Sequence, residues 1–230
     1  MIKSAFDMHD KKLILASGSP RRNELLRLFG IPFSKRPSDI DEAKLGAESP
    51  RQYVQRMALE KGETLEIFSD ELVLSADTIV DLEGQVLGKP IDKDDARRIL
   101  KLMRGKTHHV HTGLALHNGE EGTIANEICL TNVRMRDYSD DEIEAYLARA
   151  DYHDKAGAYA IQDSQFHPVE HIQGCYANVM GLPLCHVYRM FSQAAICMDV
   201  EIADLCQRYN DINCEVYPSI LYEQKHENDI

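Results

Sequence analysis

The sequence has no C-x-x-C pair, no long apolar run, no internal repeat, no linker-like stretch and a deficit of positive charge. Each shortage closes off a class of protein. The six cysteines, at positions 129, 175, 185, 197, 206 and 214, have neither close pairing nor paired histidines, so buried free thiols are expected rather than a metal or redox centre. The apolar runs are far too short to cross a bilayer, and residues 1–10 lack the basic-then-apolar pattern of a secretory signal. A cytoplasmic protein with no membrane partner is the expectation. With 26 Lys+Arg against 38 Asp+Glu, the net charge of −12 argues against a general nucleic-acid binder.

What is present is ordinary globular usage, 43% hydrophobic and 28% charged over 230 residues. The charge is unevenly placed: residues 1–110 hold 19 basic against 18 acidic side chains, and residues 111–230 hold 7 against 20. A site for an anionic small molecule therefore belongs mainly to the first half. The pattern alternates strand and helix. A buried strand over 12–16 ends in Ser17-Gly-Ser19, and Pro20 opens a helix that Ser19 caps and Gly30 stops. Ser49-Pro50 starts a second helix to about Lys61. A buried strand over 72–76 leads into Asp77-Thr78, and 79–81 with 85–87 read as hairpin arms. Asp92 caps a helix to about Met103. Two long antiparallel strands, 107–116 and 127–136, meet around Asn118-Gly119, and Ser139-Asp-Asp-Glu142 is a capping box. A short strand over 158–161, a loop-rich stretch to Leu182, helices over 183–195 and 200–209 and a polar tail follow. One continuous α/β domain with two lobes accounts for this better than two domains.

Several residues carry chemistry. The Ser-Gly-Ser turn, the helix start and Arg21-Arg22 aim N–H groups, hydroxyls and two guanidinium forks at one point. That is either a socket for a polyphosphate or a well-capped helix with solvated arginines. Asp77, placed at the carboxyl end of a buried strand, could hold a divalent cation and take a proton from water, or could cap a turn. Thr78 beside it is a strand residue or a ligand-facing hydroxyl. Asp41-Glu42 and Lys61 read as surface groups on their own, whereas Gly88 and Pro90 fix the backbone around Lys89 and suit it to a phosphate. Gln162 could read a base through its amide or satisfy loop backbone. Gly181-Leu-Pro183 reads as a structural helix start, and His108 and His109 as structural strand residues.

Taken together, the segments 15–26 (Leu-Ala-Ser-Gly-Ser-Pro-Arg-Arg-Asn-Glu-Leu-Leu), 76–78 (Ala-Asp-Thr), 88–90 (Gly-Lys-Pro), 155–162 (Lys-Ala-Gly-Ala-Tyr-Ala-Ile-Gln) and 179–184 (Val-Met-Gly-Leu-Pro-Leu) occur in the order found in the Maf-like nucleotide pyrophosphatases. Residues 56–61 and 105–108 resemble two further segments of that family, and the resemblance covers about residues 11–195. It implies an inosine-triphosphatase-like (Maf) fold: an elongated mixed sheet flanked by helices, two lobes and a central cleft, usually as a homodimer. It also implies hydrolysis of a nucleoside triphosphate between the α and β phosphates, with Mg²⁺ or Mn²⁺. Carried over by position, Asp77 would be the general base, Glu42 and Asp77 would hold the metal, and Ser17, Arg22, Lys61 and Lys89 would contact phosphates. The dTTP/UTP branch of the family has Arg, Thr and Gln where the 7-methyl-GTP branch has a bulky aromatic, Gln and Glu. This chain, with Arg21, Thr78 and Gln162, resembles the dTTP/UTP branch.

Two departures bear on base choice: Asp-Ser-Gln-Phe-His-Pro at 163–168 replaces a Gly-rich turn, and Cys175 replaces a small polar residue. Residues 1–196 are expected to form the Maf-like domain and 197–230 a C-terminal extension, a helix plus polar tail that carries no recognisable chemistry. The competing readings are a 7-methyl-GTP or broad-specificity pyrophosphatase, and a non-catalytic nucleotide-binding regulator of septum formation.

Overall fold

The computed structural model describes residues 11–196 and 198–222. The reading of residues 1–10 as lacking a signal, Cys197 and the polar tail over 223–230 lie outside the described residues. Seven strands form one mixed sheet: β1 (Lys12–Leu15), β2 (Phe33–Lys35), β3 (Glu71–Leu82), β4 (Gln85–Leu87), β5 (Thr107–Asn118), β6 (Gly122–Met135) and β7 (Val169–Gln173). The order is β2-β1-β3-β5-β6-β7, with β4 pairing the far end of β3. β1 runs parallel to β2 and β3, and the remaining pairs are antiparallel. The helices are α1 (Pro20–Arg27), α2 (Pro50–Glu63), α3 (Lys93–Met103), α4 (Asp140–Leu147), α5 (Tyr176–Val179), α6 (Leu184–Gln193), α7 (Ile202–Asn210) and α8 (Tyr217–Leu221). Their starts follow the local chemistry read from the sequence. Ser19, Ser49, Asp92 and Ser139 each cap a helix through the side chain, the serines at 49 and 139 as full capping boxes.

β3 threads two hydrophobic cores. Leu72, Leu74 and Ala76 join Leu25 and Leu26 of α1 and Val187, Met190 and Phe191 of α6. Val80 and Leu82 join Ile99 and Leu100 of α3 and Ile143 and Tyr146 of α4. Asp77 and Thr78 fall between, where neither core closes over the strand. The sheet also has a gap there. β1 pairs β3 only as far as Leu15↔Leu74, and β4 begins at Val80↔Leu87. Between those rungs one edge of β3 faces a cleft rather than another strand.

This corrects one expectation and its reasoning. The strand expected to stop at Ala76 runs without a break to Leu82, because β5 pairs it rung for rung from Leu72 to Asp81. Asp77 sits in mid-strand, and the strands that stop beside it are β1 and β4. A second expectation, a strand over 158–161, is also not met. Gly157 (φ 73°) and Ala158 (φ 59°) turn the chain into a single 3-10 turn over Ala156–Ala158. The next strand is instead β7, in the stretch read as loop. β2 was not foreseen either, being three residues long and half-exposed.

On the opposite face α2 lies close against the sheet. A Cβ built on Gly113 would stand 2.2 Å from the Val54 carbonyl oxygen, a backbone atom that cannot swing aside. Gly113→Ala should therefore push α2 outward and cost about 2 kcal/mol, the usual penalty of an overpacked contact, read as a fall in urea midpoint. α7 and α8 cover the first core: Ile202 and Cys206 are buried in it, Tyr209 donates to Glu24 Oε2 at 3.2 Å, and Arg189 Nη1 donates to the Ile220 carbonyl at 3.0 Å. Among the described residues no helix is long and apolar enough to cross a membrane.

Candidate active site

A cavity of about 450 Å³ opens at the gap in the sheet. All nine residues singled out from the sequence line it: Ser17, Arg21, Arg22, Glu42, Lys61, Asp77, Thr78, Lys89 and Gln162. They come from six separate stretches of chain. Successive strand residues point to opposite faces, so Asp77 turns toward α2 and Thr78 toward α1. Because the strand edge is open, both side chains reach the same cleft.

On the α2 side, the buried Lys61 ammonium lies 2.7 Å from Asp77 Oδ1 and 2.6 Å from Glu42 Oε1. The helix brings Lys61 up from its last turn, and Tyr53, two turns earlier, donates its hydroxyl to the Glu42 carbonyl at 2.8 Å. That bond pins an otherwise irregular loop. Burial raises the Glu42 carboxyl, but the Lys61 hydrogen bond and charge, with Lys89 and Arg22 further away, hold it below its usual value. Burial, and the charges of Asp77 and Glu42, push the Tyr53 phenol up to about 12. Asp77 spends Oδ1 on Lys61, and its Oδ2 makes no hydrogen bond with the described residues.

On the α1 side, Arg22 is spent mainly on the protein itself. Its Nε donates to the Gly181 carbonyl at 2.8 Å, Nη1 to the Ala76 carbonyl at 2.8 Å and Ser17 Oγ at 3.2 Å, and Nη2 to Thr78 Oγ1 at 2.9 Å. One guanidinium thereby ties the first loop, the open edge of β3 and the Gly181 turn together. Burial lowers its pKa, with the charge of Asp77 acting the other way. The structural reading of the Gly181 turn agrees with this bond. Thr78 continues the chain of contacts to Thr112 Oγ1 at 2.9 Å.

Three groups were missed in the sequence. Asp154 receives hydrogen bonds from Arg21 on its side chain, at 3.5 Å, and on its carbonyl, at 3.2 Å, which closes one end of the cleft. Lys155 is buried and donates to Asp151 Oδ1 at 2.9 Å and Asp154 Oδ1 at 2.8 Å. Burial raises the Asp154 carboxyl, and Lys155 and Arg21 bring it below its ordinary value. Tyr53 is the third. Lys155 lay inside a recognised segment, but nothing local distinguishes a buried lysine from a surface one. Lys89 and Gln162, both exposed, make no hydrogen bond or ion pair with the described residues. The Gly88 carbonyl accepts from Gly157 N–H at 3.1 Å, which sets Lys89 beside the Lys155 turn.

Two carboxylates converging on one point, with two lysines and two arginines around a deep cleft at a break in a mixed sheet, define an α/β protein built to take a polyanion. Comparison with known proteins gives the family. The Maf-like protein family matches residues 12–194, and the chain belongs to it. It is 42% identical over 181 residues to the dTTP/UTP pyrophosphatase of Syntrophus aciditrophicus (strain SB), covering 78% of this chain and 88% of that one. It is 44% identical over 181 residues to the protein of that name from Geobacter sp. (strain M21), covering 78% and 94%, and 43% identical over 184 residues to that from Bacillus anthracis (strain CDC 684 / NRRL 3495), covering 80% and 95%.

Proposed function

We propose that this protein hydrolyses dTTP and UTP to the monophosphate and pyrophosphate. The observation that carries the reading is the Glu42–Lys61–Asp77 group facing the same cavity as Arg21, Lys89 and Gln162. The names of the relatives support the substrate class.

In this mechanism Asp77 Oδ2 accepts a proton from a water as its oxygen attacks the α-phosphorus in line. The bond from the α-phosphorus to the bridging oxygen breaks, and the electron pair leaves on pyrophosphate. Lys61 holds Asp77 in place. Lys89, with its ammonium uncommitted, and the Ser17 hydroxyl receive the phosphate chain. Arg22 acts mainly by holding the walls that carry Ser17 and Thr78, with one Nη2 proton left for substrate. Arg21 and Gln162 face the nucleoside end. The carboxylates fit a hard divalent ion: both already approach one cation within hydrogen-bonding distance. Mg²⁺ commonly takes one or two carboxylates and completes its shell with substrate phosphates, consistent with no larger ligand cluster among the described residues. Bound there, Mg²⁺ or Mn²⁺ would neutralise phosphate charge and lower the pKa of water. The reading also takes the protein as a cytoplasmic homodimer, with residues 1–196 as the catalytic domain.

The test is pyrophosphate release from dTTP, UTP, CTP and 7-methyl-GTP with Mg²⁺ or Mn²⁺, and again with chelator. Fast release from dTTP and UTP that chelator stops is expected. Binding of all four without release would favour a non-catalytic regulator, and preference for 7-methyl-GTP would move the protein to the other branch. Gln162→Ala should raise KM for dTTP five- to tenfold with kcat little changed, about the worth of one neutral hydrogen bond.

A further inference from the structure

We infer that Asp154 is a specificity residue: its carboxylate accepts the ring N3–H of uracil or thymine beside the Arg21 guanidinium, and so rejects cytosine. The inference rests on the hydrolytic reading above and names the atom by which that site chooses its base.

Asp154 stands out in a site for a polyanion. Among the described residues three carboxylates line the cavity, and Glu42 and Asp77 are both matched to Lys61. Asp154 stands apart from them, at the end of the cleft that Arg21 closes. A third negative charge opposes a triphosphate, so the part of the substrate that meets it is the uncharged part. To a neutral partner a carboxylate offers one thing, the acceptance of hydrogen bonds. The Asp154 side chain is half-exposed and has that capacity to spare. Oδ1 is taken by the Lys155 ammonium at 2.8 Å. Oδ2 meets, among the described residues, Arg21 Nη1 at 3.5 Å, the outer limit of a hydrogen bond.

The neighbours fix the direction and the pattern. Lys155 is held from its other side by Asp151 Oδ1 at 2.9 Å, and the bond from Gly157 N–H to the Gly88 carbonyl anchors the turn. The carboxylate is therefore carried on a supported turn rather than a free loop. Arg21 Nη2 reaches the Asp154 carbonyl at 3.2 Å, which sets a guanidinium donor and a carboxylate acceptor side by side. Gln162 lines the same cavity, and its amide offers an N–H donor.

The imide edge of uracil and thymine shows an acceptor, a donor and an acceptor: O2, N3–H and O4. Its complement is donor, acceptor, donor, the kinds of group that Arg21, Asp154 and the Gln162 amide bring. Cytosine shows two acceptors, O2 and N3, and then an amino donor. Its N3 lone pair would face Oδ2, so a repulsion replaces the hydrogen bond. The other neutral donors of a nucleotide are ribose hydroxyls. UTP and CTP share those, so the choice of base separates the two assignments.

Pyrophosphate release from UTP, CTP and 3-methyl-UTP, which lacks the N3–H, tests this in the full-length wild type, Asp154→Asn, Asp154→Ala and Asp151→Asn. Wild type should favour UTP over both other nucleotides by at least about a thousandfold in kcat/KM. The Asp154→Asn amide donates to cytosine N3 as readily as it accepts from uracil, and should cut the UTP-to-CTP preference about a hundredfold. Asp154→Ala makes room for the methyl group and should bring 3-methyl-UTP within about tenfold of UTP. Asp151→Asn disturbs the same lysine without touching the base, and should leave the UTP-to-CTP ratio unchanged. An Asp154→Asn that slows UTP and CTP alike, the mark of a structural or ribose-binding role, would overturn the proposal. So would wild-type hydrolysis of 3-methyl-UTP at the rate of UTP, a comparison that decides even if both Asp154 variants fail to fold. No release from any nucleotide would instead strike the hydrolytic reading, and the same ratios would then be read as dissociation constants.

Discussion

Asp77→Asn is expected to leave a folded protein that releases pyrophosphate from dTTP about 1,000-fold more slowly, the middle of the range for losing a general base. The asparagine side chain matches aspartate in shape, and its carbonyl oxygen can still accept from Lys61, now 2.7 Å from Asp77 Oδ1. The strand around it is held by β5 from Leu72 to Asp81, so the wall of the cleft should not move. What disappears is the proton acceptor at Oδ2 and one of the two negative charges that converge beside Lys61. The loss should therefore fall on kcat, with KM moving much less. Glu42→Gln is the informative comparison. Glu42 lies on a loop, with its side chain 58% exposed, and has no role as base in the mechanism, so its loss should be smaller and should weaken with raised metal concentration. A kcat for Asp77→Asn within tenfold of wild type, in a protein with an unchanged melting temperature, would remove Asp77 from the role of base.

The second large effect is on stability against acid. His108, His117 and His186 are 0%, 1% and 8% exposed. Burial pushes each of them down to about 4, with His109 adding to the effect at His108 and Arg189 at His186. Their surroundings explain the neutrality: His108 Nε2 meets the Tyr159 hydroxyl at 2.9 Å, and His117 lies between Ser75 and Thr123 hydroxyls. The Nδ1 atoms of His108 and His186 are buried without a partner among the described residues, so no described carboxylate rewards protonation there. In the unfolded chain the same rings titrate near 6.5, and between that value and about 4 the unfolded state binds more protons. Stability contributed by the neutral rings is thus complete above pH 6.5 and is lost as pH falls toward 4. Each histidine could contribute up to about 3 kcal/mol, and three together are comparable with the whole stability of a domain. Unfolding should set in well above pH 4, seen as a urea midpoint that falls steeply below pH 6. His117→Gln should flatten that slope; an unchanged midpoint from pH 7 to 4.5 would show that these rings are not buried neutral groups.

Much of the molecule was legible in the chain because its causes are local. Ser19, Ser49, Asp92 and Ser139 start helices through bonds that span three residues, and those starts are found where the sequence puts them. The nine residues chosen for the site all face one cavity. The errors came where the deciding partner is distant in sequence. Nothing near Asp77 says that β3 continues, because continuity is imposed by β5 about forty residues on. Residues 158–161 are a short apolar run that reads as a strand, yet Gly157 and Ala158 take positive φ and the chain makes a 3-10 turn there.

What the sequence determined by itself was the family, the positions of the helix starts and the identities of the groups that would meet. Which way those groups are spent was decided by the tertiary structure. Arg22 was expected to face phosphate, but the open edge of β3 presents the Ala76 carbonyl and the Gly181 turn presents another, and a buried guanidinium bonds the acceptors within reach. Lys61, an ordinary helix lysine by sequence, is carried by α2 into the gap between two carboxylates. Four cysteines with no recognisable spacing, Cys175, Cys185, Cys206 and Cys214, are brought to one small cavity by segments that meet only in the fold. Charge and hydrogen bonding act over a few ångströms of space, and separation along the chain does not report that distance.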